Sequence, residues 1–421
     1  MRAPVLAFLS TAAALTASAL EAGYEGPRTF DSKDVLPASI LQDPRFTVGP
    51  KAPTDGYFHD FSIRSAYGDF EAEGRGELVL RTREISALAE LEKVSKSEVF
   101  LKAAGTSVVN VGKGVANVVT DPEGTAKGVG GGIKRFGVNL GRRAKRAGEG
   151  VVDGAKGDDQ ASGEAATSSS AKAAEAGETA AYSVLGVSSA MRRWARKVGA
   201  DPYTTNPALR KALEDIGRVD AAGGIAAKVV IPIPGVIGMT ASVGDLVWGK
   251  DPEALRKLNE ERLSALGVTK EKADAFFRNK PFTLTAQTAF IDALFAVKPK
   301  GAADYVETAT EANGERAVLF FVESARMLQT FAQTTPVIAV LPDSRALVAA
   351  TRDGRAVVLL PVDWIRWTQA YEKAAVEVAS RAKAELGATR LELRTSGRMS
   401  QIARTNTTAL GFKLEETTYD P

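Results

Sequence analysis

Residues 337–360, VIAVLPDSRALVAATRDGRAVVLL, contain three apolar runs of strand length: Val337–Leu341, Ala346–Ala350 and Ala356–Leu360. Between the second and third, Thr351-Arg352-Asp353-Gly354-Arg355 carries the Asp-Gly pair that supplies the positive backbone angles of a tight hairpin turn. The period then lengthens. Trp364, Trp367, Tyr371, Ala374, Val378, Ala382 and Leu386 recur at intervals of three and four, which predicts a long amphipathic helix. Leu391 and Leu393 predict a strand, Ser396 a cap for a short helix with Met399 and Ile402, and Leu410, Phe412 and Leu414 a final strand. The order strand, strand, helix, strand, helix, strand describes a small α+β layer over residues 336–421, with its helices on one face.

Upstream, residues 182–335 predict an α-helical domain. Val184, Val187, Met191, Trp194 and Val198 form one stripe that stops at Gly199. Asn206-Pro207 and Asp251-Pro252 each join a capping side chain to a proline suited to the first helical turn. Further helices are expected over Lys270–Arg278, Leu284–Ala296, Ala302–Glu311 and Glu315–Ala332. Val229–Val243 is uncharged and apolar but too short to span a bilayer, and Pro232 and Pro234 break a helix there, so it predicts a buried core element. Residues 155–181 have no Val, Leu, Ile, Met or aromatic side chain and predict a disordered linker or insert.

Residues 54–154 begin with short strands: Tyr57, Phe58, Phe61 and Ile63, then Tyr67 and Phe70, then Leu78, Val79 and Leu80. A helix with the stripe Ile85, Leu88, Leu91 and Val94 should follow, and after it a Gly-rich basic segment. Residues 20–53 look like an extended polar lead. At the start, Arg2, the apolar stretch Val5–Leu15 and Ala17-Ser18-Ala19 have the form of a signal peptide over residues 1–19, so the protein is expected to be exported, periplasmic or secreted. The whole is expected to be α+β and helix-dominated.

Composition restricts the chemistry. One His and no Cys among 421 residues exclude disulfides, thiolate nucleophiles, Cys/His zinc sites and most His-based triads. His59 lies between Phe58 and Asp60 and is expected to be structural. No phosphate-binding loop, dinucleotide fingerprint or Gly-x-Ser-x-Gly elbow occurs, so no cofactor and no metal are expected. Lys and Arg total 54 against 51 Asp and Glu, and a net charge of +3 gives no reason to expect nucleic-acid binding.

Two surface-binding candidates remain. Lys127, Lys134, Arg135, Arg142, Arg143, Lys145 and Arg146 run without an acidic residue and alternate with apolar side chains, a pattern suited to an anionic membrane surface or cell-envelope polymer. Arg192, Arg193, Trp194, Arg196 and Lys197 place four cations around one aromatic on a helix, and there core packing of Trp194 competes with surface recognition. The leading expectation is therefore a non-enzymatic envelope protein. One alternative is a secreted or periplasmic hydrolase using paired carboxylates, for which Glu260-Glu261, Asp304 with Glu307, and Glu323 are the helical acids. Another is a secreted membrane-inserting protein using Thr106–Leu140 and Val229–Val243.

Overall fold

The computed structural model describes residues 23–97, 100–101, 186–223 and 240–416. The signal peptide, the basic residues Lys127–Arg146, the linker at 155–181 and most of Val229–Val243 lie outside the described residues.

The stretch expected to be an extended lead contains structure. Strand β1 (Arg28–Asp31), helical turns α1 (Ser32–Val35) and α2 (Ala38–Leu41), and strands β2 (Gln42–Asp43), β3 (Phe46–Val48) and β4 (Lys51–Thr54) precede β5 (Asp60–Ser65) and β6 (Gly68–Glu73). β1 pairs antiparallel with β4, and a second antiparallel sheet has the order β2-β3-β5-β6. Phe46, Val48, Phe61, Ile63 and Ala72 alternate inward and share a core with Leu78 and Ile85 of helix α3 (Arg75–Ser95). Leu78, Val79 and Leu80, expected as a strand, belong to α3. Gly74, with φ of 96°, turns the chain out of β6, and Glu77, Arg81 and Glu84 then fall at helical spacing on a buried face of α3.

The middle of the chain is helical: α4 (Val187–Val198), α5 (Pro207–Gly223), α6 (Ala241–Gly249), α7 (Pro252–Ala265), α8 (Lys270–Arg278), α9 (Leu284–Val297), α10 (Ala302–Ala309) and α11 (Glu315–Ala332). The caps at Asn206, Asp251 and Gly199 are formed: Asn206 Oδ1 accepts from the Ala208 N–H at 3.0 Å, Asp251 Oδ1 accepts from Ala254 at 2.9 Å, and Gly199 ends α4 with φ of 66°. The one expected at Ser396 is not: Ser396 Oγ donates to the Val362 carbonyl at 3.1 Å, Met399 lies in a short strand, and Ser400 caps the helix Gln401–Ala409 by accepting from the Ala403 N–H at 3.0 Å. Leu88, Leu91 and Val94 of α3 pack with Trp194, Val198, Leu209, Leu213 and Ile216, joining the N-terminal unit to α4 and α5. Among the described residues no helix is long and apolar enough to cross a membrane.

All three apolar runs of the C-terminal stretch form strands: β7 (Val337–Val340), β8 (Leu347–Thr351) and β9 (Arg355–Leu360). Short β10 (Trp364–Ile365), helix α12 (Gln369–Leu386), β11 (Arg390–Thr395), short β12 (Arg398–Met399), helix α13 (Gln401–Ala409) and β13 (Phe412–Glu416) follow. The five-stranded sheet has the order β13-β11-β9-β8-β7. β9, β11 and β13 run parallel, and β8 is antiparallel to β9 through the turn at Gly354, where φ is 82°. Strands β8 to β13 of this sheet and their two helices follow the expected order, and β7 adds an edge strand.

The α12 stripe begins later than its period suggests. Trp364 lies in β10, where it pairs with Arg398, and Thr368 caps the helix by accepting from the Tyr371 N–H at 3.1 Å. Tyr371, Ala375, Ala379 and Ala382 of α12 and Ala403 of α13 share one core with Val348, Val358 and Leu360, so both helices cover the same sheet face. The opposite face is also covered. Leu347, Ala349, Val357 and Leu359 belong to a core that includes Phe290, Tyr305, Phe321 and Leu328, and this core continues across the expected boundary at 335/336.

Candidate functional site

Small-molecule sites are concave and mostly apolar, with a few polar groups. A cavity of about 500 Å³ lies against the sheet face that α12 covers. Val358 and Leu360 of β9, Leu393 of β11 and Phe412 of β13 line it from the sheet, and Tyr371, Ala374, Ala375 and Val378 from α12. Ala317, Phe320 and Phe321 of α11 close another side. Of the α12 residues on this space two are alanines, Ala374 at the exposed side and Ala375 buried. The volume falls within the range of about 300–1,000 Å³ typical of small-molecule sites.

Tyr57 and Phe58 complete the wall, although they are far away in sequence. Their loop is held by charge. Asp55 Oδ1 accepts from both the Tyr57 and Phe58 N–H groups at 2.8 Å, and Arg366 donates to the Asp55 carbonyl at 2.9 Å. Asp363, between β9 and β10, accepts from the backbone N–H groups of His59 and Arg75, each at 3.1 Å, and pairs with the Arg75 guanidinium at 3.2 Å. Burial pushes the Tyr57 hydroxyl pKa up, with the Asp55 charge adding to it. Burial also pushes the Tyr371 hydroxyl pKa up to about 12, opposed by the hydrogen bond with Thr407.

Polar groups gather at the mouth: Glu311, Asn313, Arg316 and Arg345. Arg316 pairs with Asp55 at 3.0 Å and Glu73 at 3.2 Å and lies 5.4 Å from the centre of the Phe58 ring. Arg345 pairs with Glu311 at 3.3 Å, their side chains being 77% and 67% exposed.

A smaller cavity of about 70 Å³ shares Phe58, Arg316 and Phe320 with the large one and is lined also by Arg75, Glu77, Glu323 and Asp363. Of the acids singled out by their place on helices, Glu323 is half-buried, its side chain 16% exposed; desolvation raises its pKa, opposed by Arg326 at 2.9 Å. Glu77 rises to about 7, chiefly through desolvation, with Arg81 opposing and Glu315 adding. Both Glu77 oxygens are engaged, one by Arg81 at 3.2 Å and the other by the Glu73 N–H at 3.0 Å. Arg81 also binds Glu84 at 2.7 Å and contacts Glu315, while Glu84 accepts from Thr204 at 2.5 Å and Asn206 at 3.0 Å. This network ties α3 to the start of α5 and to α11.

The remaining expected acids do not converge. Glu260 and Glu261 are exposed, and Glu307 pairs with Lys272 at 2.7 Å. His59 is 2% exposed, edge-on to Phe30 and Phe61, and its pKa is lowered, first by burial.

Of the surface candidates, Lys127, Lys134, Arg135, Arg142, Arg143, Lys145 and Arg146 lie outside the described residues. Arg192, Arg193, Trp194, Arg196 and Lys197 are all on α4. Trp194 is 1% exposed, with Lys197 Nζ 4.2 Å from its ring centre. Arg192 donates to Ser188 at 2.8 Å, Arg193 pairs with Asp220 at 2.8 Å, and Arg196 with Asp245 at 3.2 Å.

Sequence reasoning missed Arg81, Glu77 and Glu84. The usable signal was their spacing at positions i, i+4 and i+7, in register with Leu78, Ile85 and Leu88. Among the described residues no group of three or more His, Asp or Glu side chains is arranged to hold a metal ion. No family model, no curated protein and no solved structure matches this chain.

Proposed function

We propose that the chain is an exported, non-enzymatic envelope protein whose folded part holds one small, mainly apolar molecule, and whose basic residues Lys127–Arg146 attach it to an anionic membrane surface or cell-envelope polymer. The observation that carries the first half is the cavity of about 500 Å³, lined mainly by apolar side chains with Tyr57 and Tyr371 among them and charged groups at its mouth. The second half is supported by the sequence pattern alone. Attraction of about 1 kcal/mol per Lys or Arg near an anionic bilayer makes seven cations sufficient for reversible adhesion.

A carboxylate hydrolase is the second reading, favoured by one observation: Glu77 and Glu323, both with raised pKa values, border the same small cavity. Size and occupancy count against it. A space of about 70 Å³ admits water but not a sugar ring, and Glu77 already accepts at both oxygens.

Saturable binding of one equivalent of a neutral naphthylamine dye tests the cavity. Ala375→Leu, which fills it from α12, should weaken dye binding at least tenfold with unchanged circular dichroism. Unchanged affinity in this variant, or no saturable binding at all, would remove the reading. For the basic residues, replacing Arg142, Arg143, Lys145 and Arg146 by Gln should release the protein from acidic vesicles in flotation. Retained binding would place the contact elsewhere.

A further inference from the structure

Resting on the reading of the large cavity as a ligand site, we infer that its ligand is a single-chain amphipathic carboxylate, with its acyl chain inside and its carboxylate on Arg345. The charged lining residues Glu311 and Arg345 are exposed, whereas the aliphatic and aromatic residues from the sheet are buried. Val358, Leu360, Leu393 and Phe412 form the sheet side, and among the described residues no polar side chain beyond Tyr57 and Tyr371 lines the space away from the mouth. The Tyr371 hydroxyl is already shared with Thr407 at 3.0 Å. A ligand polar at both ends would leave one end without hydrogen bonds, which buried polar groups do not tolerate. A ligand polar at one end matches exposed charges beside a buried apolar lining.

The sign of that end follows from the two arginines at the mouth. Arg316 is committed to Asp55, Glu73 and the Phe58 ring. Arg345 has Glu311 as its acidic neighbour, and both side chains are mostly in water. Such exposed pairs contribute little, so exchanging Glu311 for a ligand carboxylate costs little and leaves a carboxylate–guanidinium pair at the rim. A cationic head would instead meet two guanidinium groups.

The test uses the full chain with the neutral naphthylamine dye in place, displaced by dodecanoate, dodecanol or dodecyltrimethylammonium below their micelle concentrations. Dodecanoate should displace the dye at about threefold lower concentration than dodecanol, the gain that an exposed ion pair can supply, and the ammonium compound should be weakest. Arg345→Gln, a surface change, should abolish the advantage of dodecanoate and leave dodecanol unchanged. Glu311→Gln should strengthen dodecanoate, because a competing carboxylate is gone. Equal displacement by dodecanoate and dodecanol overturns the carboxylate assignment and leaves the cavity reading standing. A dodecanoate preference that survives Arg345→Gln overturns the assignment of Arg345. Failure of every amphiphile to displace bound dye overturns both the assignment and the cavity reading.

Discussion

Replacing Arg81 by Met should destabilise the protein by about 3–5 kcal/mol at pH 8, the usual cost of removing one partner from a buried ion network. Arg81 is buried and meets three carboxylates, Glu77 at 3.2 Å, Glu84 at 2.7 Å, and Glu315. Met keeps the apolar stem and removes the guanidinium group, so the loss combines the charge and donors with the packing of that buried group. The pH dependence gives the sharper test. Burial pushes the Glu77 carboxyl up to about 7 from an ordinary 4.5, with Arg81 opposing. Because the pKa of this acid is raised, the folded state binds the proton more tightly. Its contribution is fully present below 4.5, falls as pH rises to about 7, and is flat above that. Asp201, raised to about 6 mainly by burial, adds a slope of the same sign at slightly lower pH. Arg81 is the group that holds Glu77 down, so in Arg81→Met the falling window extends above pH 7 and the deficit is larger at pH 8 than at pH 5. Urea titrations followed by fluorescence of the four tryptophans at both pH values would measure this. Equal stability of the variant and the parent at pH 8, or a deficit independent of pH, would refute the argument.

Glu392, in the middle of β11 and 2% exposed, should act in the opposite pH direction. Burial alone would raise its pKa, but hydrogen bonds from Arg394 and from Arg355 at 2.8 Å hold it low, so its contribution is present above the ordinary range and lost as pH falls through the folded value. Glu392→Ala should cost about 3 kcal/mol or more at pH 7, read as a lower urea midpoint, and a loss below 1 kcal/mol would mean the two arginines find other partners. Gly301 precedes α10 with φ of 85°, and a Cβ there would stand 2.7 Å from the Val340 carbonyl oxygen. Gly301→Ala should therefore cost about 1–3 kcal/mol, and a thermal midpoint equal to the parent's would show that the backbone shifts freely.

Local signals carried most of the helices and strands. A cap followed by proline at Asn206-Pro207 and Asp251-Pro252 acts within one turn, and so does the Asp353-Gly354 hairpin, so neighbouring residues suffice to place them. Long-range packing defeated the same approach elsewhere. Leu78-Val79-Leu80 has strand composition, but it follows a glycine turn and sits among Glu77, Arg81 and Glu84, whose burial depends on Glu315 and Asn206 more than a hundred residues away. Glu392 alternates with Leu391 and Leu393 like a solvent-facing residue, yet α11 packs against that side of the sheet.

The cavity lies between these cases. Tyr371 and Ala382 were legible as inward residues of α12, but Ala374 is exposed and Val378 half-buried, the buried alanines between Tyr371 and Ala382 being Ala375 and Ala379. A period does not report whether inward residues reach what they face. Alanine supports a helix through propensity while filling little volume, so an inward alanine such as Ala375 satisfies the amphipathic pattern beside a space bordered by Val358, Leu360 and Leu393. Tyr57, Phe58, Phe320 and Phe412 arrive from separate parts of the chain and surround that space without filling it. In a helix laid over a sheet of large aliphatics, an excess of inward alanines is therefore the sequence trace that a site of this kind leaves. It gains meaning only once the facing strands are known, because the same alanines against a close-packed helix would leave no cavity at all.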